Sequence, residues 1–299
     1  MSTNDISKDT KEKSKAKTII ISITILILLA CSLLLYSRYV ETSGLNIKEY
    51  KVTSEKITDN FHGLKIVHLS DIHYGTTIDE KSLKNIVDKI NTLKPDIVVL
   101  TGDLLDTETN INDSYDIIVK QLSNIKTTIG KYAIKGDQDY NFNEWDSIIE
   151  NSGFINLNNT YTKIYKNKNN YLLLSGVDSN IYDNDINKKL QTTKDLLNNL
   201  NEDERNATYK ILLLHEPDYI DYINDVDFDL ILAGHSLGGQ IRIPFIGCIK
   251  SPNGALKYHK DYYKINNSNI YISTGLGTTK YKFRLFNKPS INFYRIMKK

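Results

Sequence analysis

Cysteine is almost absent. The 299 residues contain two, Cys31 and Cys248, and Cys31 lies inside an apolar segment. A disulfide-stapled scaffold is therefore excluded as the basis of the fold. An excess of either charge is also missing: 38 basic and 36 acidic side chains leave a net charge of +2. That balance gives no general electrostatic argument for a nucleic-acid partner, and none is expected. No internal repeat or low-complexity stretch interrupts the chain after about residue 46. Scattered Tyr and Lys reflect a composition rich in Asn, Ile, Lys and Tyr, so Tyr258, Tyr262 and Tyr263 are read as packing or surface residues.

Charge is absent locally as well. Residues 1–17 carry Lys8, Lys11, Lys13, Lys15 and Lys17, after which Thr18 to Tyr36 holds no charged side chain over 19 residues. At ~1.5 Å per helical residue, that run spans close to the ~30 Å hydrocarbon core of a bilayer. The segment is long for a secretory signal and lacks a small-residue cleavage site. A lipoprotein reading of Leu28-Leu-Ala-Cys31 is weakened by Leu29 and by the apolar Leu33-Leu-Leu35 that follows. The reading is a transmembrane anchor at 18–36 behind a basic tail at 1–17. The positive-inside bias puts that tail in the cytoplasm and the remainder outside. Residues 37–45 are read as a linker, and 46–299 as one compact domain.

Within that domain, apolar β-branched runs alternate with helical patterns. Ile47 to Ile57 reads as an edge strand. Leu64-Lys-Ile-Val-His-Leu-Ser-Asp-Ile-His-Tyr-Gly75 starts as a buried strand, and 78–93 has helical spacing closed by Pro95. Further strands are expected at 96–101, 131–135, 160–166, 171–178, 209–214, 228–233, 270–274 and 290–297. Helices are expected at 113–129, around Trp145 to Glu150, and at 185–201. The close pair at 160–166 and 171–178 suggests antiparallel pairing. The pattern is α/β: two mixed sheets packed as a sandwich and flanked by helices.

Five of these strands run into side chains able to bind metal: Asp71 and His73, Asp103, Asp137, His215 and His235. Residues i and i+2 of a strand share a face, so extended backbone through Asp71-Ile-His73 would project both groups together. Ligands of α/β sheets gather beyond the carboxyl ends of strands. A mixed oxygen and nitrogen donor set suits Mn, Fe or Zn and suits Ca less well. A shared carboxylate, most simply Asp103, could bridge two ions ~3.5–4 Å apart. Of the other histidines, His68 lies within a strand and reads as packed, whereas His62 and His259 read as exposed.

Taken in order, Asp71-Ile-His73, Gly102-Asp-Leu-Leu-Asp106, Gly136-Asp-Gln-Asp139, His215 and Gly234-His-Ser-Leu237 resemble the signature of calcineurin-like metallophosphoesterases. Gly234 to Gly247 and Ser273-Thr-Gly-Leu-Gly277 resemble a narrower branch, membrane-associated bacterial phosphoesterases related to those acting on UDP-diacylglucosamine. The resemblance implies a four-layer fold and two divalent ions. It assigns Asp71, His73 and Asp103 to the first ion, and Asp103, Asp137, His215 and His235 to the second. It also implies a phosphorylated small molecule or lipid-linked phosphate as substrate. Two positions depart from the pattern. Leu237 stands where the family has a ligating His, and Gln138 where it has a His that assists the leaving group. Gln138 can donate a hydrogen bond but cannot exchange a proton near neutral pH. Asp106 matches the carboxylate that orients this His. Two readings follow: a membrane-anchored phosphoesterase of reduced activity, with two ions or one bound, or a pseudoenzyme that binds metal or a phosphorylated ligand as a sensor or scaffold.

Overall fold

The fold is a computed structural model that describes residues 3–166, 170–179, 201, 209–223 and 228–299, with side chains from residue 14 onward. The helix expected at 185–201 lies outside the described residues apart from its last position.

The chain starts in a long helix, α1 (Thr3–Leu35), that continues as a wider helical turn over Tyr36–Glu41. Its apolar part projects from the domain and is long and apolar enough to cross a membrane over Ser14–Glu41. The segment expected to link anchor and domain is helical through Glu41, and both Ser37 and Glu41 are buried.

Two six-stranded sheets form the domain. The first has the order β1 (Asn46–Ser54), β14 (Ser290–Lys298), β2 (Leu64–Leu69), β3 (Ile97–Thr101), β4 (Gly130–Ile134) and β5 (Ile155–Asn156). The second has the order β12 (Tyr262–Ile265), β13 (Ser268–Ile272), β9 (Leu230–Ala233), β8 (Lys210–Leu214), β7 (Tyr171–Val177) and β6 (Thr160–Tyr165). β2, β3 and β4 are mutually parallel, as are β7, β8, β9 and β13. The first and last strands of the domain meet in parallel, Asn46 opposite Ser290, and β6 pairs antiparallel with β7.

Alternation explains why the central strands read as continuous apolar runs. In β3, Ile97 and Val99 face the second sheet while Val98 and Leu100 face the helices. In β8, Ile211 and Leu213 enter the core between the sheets while Leu212 and Leu214 pack outward. Strands buried on both faces need apolar residues at every position. Truncating a residue such as Leu213 would cost ~2–5 kcal/mol.

The helices α2 (Glu80–Leu93), α3 (Ile111–Ser123) and α4 (Trp145–Asn151) cover the outer face of the first sheet. Asp79 caps α2 by accepting from the Ser82 N–H at 2.8 Å, and Lys94 ends it in the left-handed region before Pro95. α3 stops six residues short of its expected end at 129. The Asn91 side chain takes over at that point, donating to the Asn124 carbonyl at 2.9 Å and accepting from the Lys126 N–H at 2.8 Å. Gly130 opens β4. A short ribbon, β10 (Arg242–Ile243) with β11 (Gly247–Cys248), completes the described strands.

Candidate metal centre

Both sheets direct the carboxyl ends of their parallel strands to one edge, and the six proposed ligands stand in the loops there. The backbone geometry differs from the expected one. β2 ends at Leu69, so Asp71 and His73 are not on a strand. Asp71 (φ 51), His73 (φ 44), Asp103 (φ 53) and His235 (φ 62) all adopt left-handed backbone. Such conformations are uncommon for residues other than Gly, although Asp and His adopt them more readily than most, and holding one costs ~1–3 kcal/mol. The Asp71/His73 pair therefore converges because the chain coils tightly around buried Ile72, not because a pleat places i and i+2 on one face.

The side chains meet in two groups joined at Asp103. Asp103, Asp137, His215 and His235 offer ligand atoms within 4.8 Å of one another, as do Asp71, His73 and Asp103. His215 Nε2 lies 3.4 Å from Asp103 Oδ2 and 3.3 Å from Asp137 Oδ1, and His235 Nδ1 lies 3.2 Å from Asp137 Oδ1. On the other side, His73 Nε2 is 3.5 Å from Asp103 Oδ2 and 3.9 Å from Asp71 Oδ1. Glycine permits this crowding: a Cβ on Gly136 would overlap the Asp103 carboxylate, and Gly102 (φ 88) lies directly against the Gly136 backbone.

The outer nitrogen of each imidazole faces an oxygen. His215 Nδ1 donates to the Thr101 carbonyl at 2.7 Å, and His235 Nε2 to the Asn253 carbonyl at 2.7 Å. His73 Nδ1 faces Asp106 Oδ2 at 3.2 Å. The two hydrogen bonds fix the tautomers of His215 and His235 and aim their remaining lone pairs into the cluster, as the outer partners of metal-bound histidines do, whereas Asp106 meets His73 through charge without a hydrogen bond. His215 Nε2 and His235 Nδ1 stand 3.2 Å apart, and His73 Nε2 is fully buried without a hydrogen bond. A buried orphan nitrogen and facing lone pairs beside carboxylates fit a divalent cation.

The electrostatics agree. Burial alone would raise the Asp137 carboxyl, but hydrogen bonds and charge from His215 and His235 hold it below the carboxylate range. Burial would likewise lower the imidazoles of His215 and His235, yet the facing carboxylates raise both. Asp103 is raised by burial and by Asp137, with His215 offsetting part of the rise. The cluster thus favours either protons on the imidazoles or a cation in their place.

Supporting residues complete the site. Asp139 is fully buried and accepts from the N–H groups of Asp103 (2.8 Å), Leu105 (3.1 Å) and Gly136 (2.9 Å), pinning two ligand loops together. Burial and the Asp103 charge push its carboxyl up to about 7. The Asp that closes Gly136-Asp-Gln-Asp139 was the sequence signal for it. Asp106 serves His73 and does not reach residue 138. Arg284 is fully buried and donates Nη1 to the Thr274 carbonyl (2.8 Å) and Nη2 to the Gly277 carbonyl (2.6 Å). Its loop partner Gly277 donates to the Asp71 carbonyl at 2.7 Å. No motif pointed to Arg284.

Gln138 donates its backbone N–H to Asp103 Oδ1 (2.9 Å) and its amide to Asp137 Oδ2 (2.7 Å). Gln138 and Leu237 line a cavity of about 600 Å³ with His73, Asp103, Asp137 and His235, and its outer wall includes Ile249, Lys250, Lys280 and Tyr281. His68 is buried, with Nε2 2.7 Å from Thr101 Oγ1, and His62 is exposed, both as expected. His259 is half-buried, because the loop it occupies is tied down by its own N–H donating to Tyr263 Oη at 3.0 Å.

The family model for calcineurin-like phosphoesterases matches residues 64–239, more than half of the chain. The chain belongs to the calcineurin-like phosphoesterase family. It is 29% identical over 265 residues to the uncharacterised metallophosphoesterase YkuE of Bacillus subtilis strain 168, covering 87% of this chain and 88% of that protein. YkoQ of the same organism, also an uncharacterised metallophosphoesterase, is 29% identical over 290 residues, 90% of this chain and 99% of the relative. A transmembrane protein with a metallophosphoesterase domain from Danio rerio is 24% identical over 257 residues, 82% of this chain and 56% of that protein. Among solved structures, TT1561 of Thermus thermophilus superposes with a TM-score of 0.50 at 15% identity, over 72% of this chain and 90% of that one, a likeness of fold. Calcineurin-like phosphoesterase membership points to a hydrolase acting on phosphoesters, and the buried Asp/His cluster suggests divalent metal binding.

Proposed function

We propose that this protein is a membrane-anchored, divalent-metal-dependent phosphoesterase that cleaves a phosphoester or pyrophosphate bond. The observation that carries the reading is the pair of buried ligand groups sharing Asp103. Asp71, His73 and Asp103 would hold one ion, and Asp103, Asp137, His215 and His235 the other, with Mn, Fe or Zn suited to both. When bound, such ions lower the pKa of water and neutralise charge developing on phosphate.

The chain's own residues orient the reaction. The Thr101 and Asn253 carbonyls keep His215 and His235 in the ligating tautomer, and the Asp106 carboxylate faces His73. Gln138, held by Asp103 and Asp137, offers no exchangeable proton, so the leaving group must depart without an acid at that position. Turnover is then slower than a histidine would give, or confined to substrates with good leaving groups. A phosphorylated small molecule or lipid-linked phosphate is the substrate class, in line with the resemblance of Gly234–Gly247 to enzymes acting on UDP-diacylglucosamine. The anchor is the charge-free run at 18–36, with 1–17 cytoplasmic and the catalytic domain, 46–299, outside the cell membrane.

Hydrolysis of bis-p-nitrophenyl phosphate in Mn²⁺, compared between the unmodified chain and Asp103→Asn, tests the reading. Turnover that Asp103→Asn abolishes is expected. No turnover across Mn, Fe and Zn would favour the scaffold reading that Leu237 and Gln138 motivate. Protease access to the domain in intact cells tests the topology, and protection until lysis would contradict it.

A further inference from the structure

The β10–β11 ribbon ends in a tip that nothing among the described residues covers. Phe245 is 110% exposed, Ile246 76% and Ile249 61%. Large apolar side chains gathered at the tip of a two-stranded ribbon mark a contact with another apolar phase. The fold places this tip beside the end of the apolar helix. Ile241 bridges to Leu285, and the Arg242 N–H donates to the Leu285 carbonyl at 2.9 Å. One residue earlier, the Arg284 N–H donates to the Ser37 carbonyl at 3.1 Å, and two residues later the Asn287 N–H donates to Glu41 Oε1 at 2.9 Å. Arg284, Leu285 and Asn287 thus tie the ribbon to the exit of α1, and Phe286 between them is 55% exposed.

Basic residues flank the ribbon. Arg242 lies on it, Lys250 follows it, and Lys280 lines the same cavity wall as Ile249 and Lys250, while Asp261 is the one acidic residue of the sequence after Asp229. Apolar tips ringed by cations suit the interface of a bilayer containing anionic lipids.

We infer that the 241–249 ribbon is a second membrane contact, its Phe245-Ile246 tip inserted among the acyl chains of the bilayer that α1 crosses. The inference rests on the anchor proposed above. It holds the cavity mouth, through Ile249 and Lys250, at the lipid surface, where phosphates borne on lipids are presented.

The full chain carrying Phe245→Trp, reconstituted in phosphatidylcholine/phosphatidylglycerol vesicles with brominated acyl chains, tests this. The native Trp145 is buried and supplies a constant background. The added emission is expected to fall about twofold or more relative to unbrominated vesicles, as for side chains seated at the acyl boundary. Ile246→Trp should behave alike, and Ile155→Trp, on the exposed far edge of the first sheet, should not respond. Emission from both tip variants that brominated lipid leaves unchanged would overturn the inference. A blue shift without bromine quenching would also overturn it, and would assign the tip to a protein surface such as a second copy. Release of the full chain by alkaline carbonate would instead sink the anchor reading, and separates that failure from failure of the ribbon.

Discussion

The carboxylate of Asp139 accepts a hydrogen bond from the backbone N–H of Asp103 at 2.8 Å, although neither group lies on a strand or helix shared with the other. A carboxylate with no route to the cavity thereby sets the position of the residue that both ligand groups share.

Replacing Asp139 by Ala leaves three buried N–H groups unpaired. Each orphan costs ~1–3 kcal/mol, so the variant should lose about 3 kcal/mol or more in urea unfolding. Metal affinity should fall ~10–100-fold, as for other outer partners of ligands. Calorimetric titration with Mn²⁺ checks the second figure, and unchanged affinity would remove Asp139 from the account.

Arg284 joins the site loop to the end of α1. Its burial lowers the guanidinium to about 10, which still leaves it charged at neutral pH. Lys in its place keeps the charge but loses the planar fork that reaches the Thr274, Gly277 and Asn287 carbonyls. Arg284→Lys should destabilise the chain by roughly 2–4 kcal/mol in chemical denaturation.

His68 gives the chain an acid limit outside the metal centre. Burial lowers its folded pKa from 6.5 to about 3. As pH falls through that window, the unfolded chain takes up a proton that the folded chain refuses. Stability therefore falls with pH, by about 1.4 kcal/mol per unit from this residue, and the contribution is flat above 6.5. His68→Gln should flatten the stability profile between about pH 6 and pH 4 relative to the unmodified chain. Parallel profiles would show that His68 is not held neutral.

Leu237 lines the cavity with His73 and Asp103, and Gln138 lines it with Asp137. Leu237→His adds a nitrogen to the poorer ligand group, and Gln138→His restores a proton donor. Together they should raise turnover of bis-p-nitrophenyl phosphate by ~10²-fold or more, the range of general acid catalysis. An unchanged rate would show that these positions do not limit the reaction.

The alternation of β2, α2, β3, α3 and β4 was legible because buried parallel strands and amphipathic helices differ in period. The residues of the buried Asp/His cluster were legible because each follows an apolar run. The left-handed backbone at Asp71, His73, Asp103 and His235 was not, since only tertiary contacts force it. β12 was missed because Tyr262 and Tyr263 sit on a mostly exposed edge strand, where no apolar run marks the pairing with β13. Arg284 was invisible for another reason: its partners are backbone carbonyls, which leave no sequence pattern. Ser37 and Glu41 gave no sign that helix and domain are joined, because the acceptors and donors they meet lie about 250 positions away in sequence.

The most direct test of the shared-carboxylate centre is a Mn²⁺ titration of the metal-stripped full chain by calorimetry, with Asp103→Asn in parallel. Two binding steps are expected. The stronger belongs to Asp103, Asp137, His215 and His235, and the weaker to the Asp71, His73 and Asp103 group that lacks a ligand at Leu237. Asp103→Asn should weaken both. A titration that shows no binding, or two steps that Asp103→Asn leaves unchanged, would contradict it.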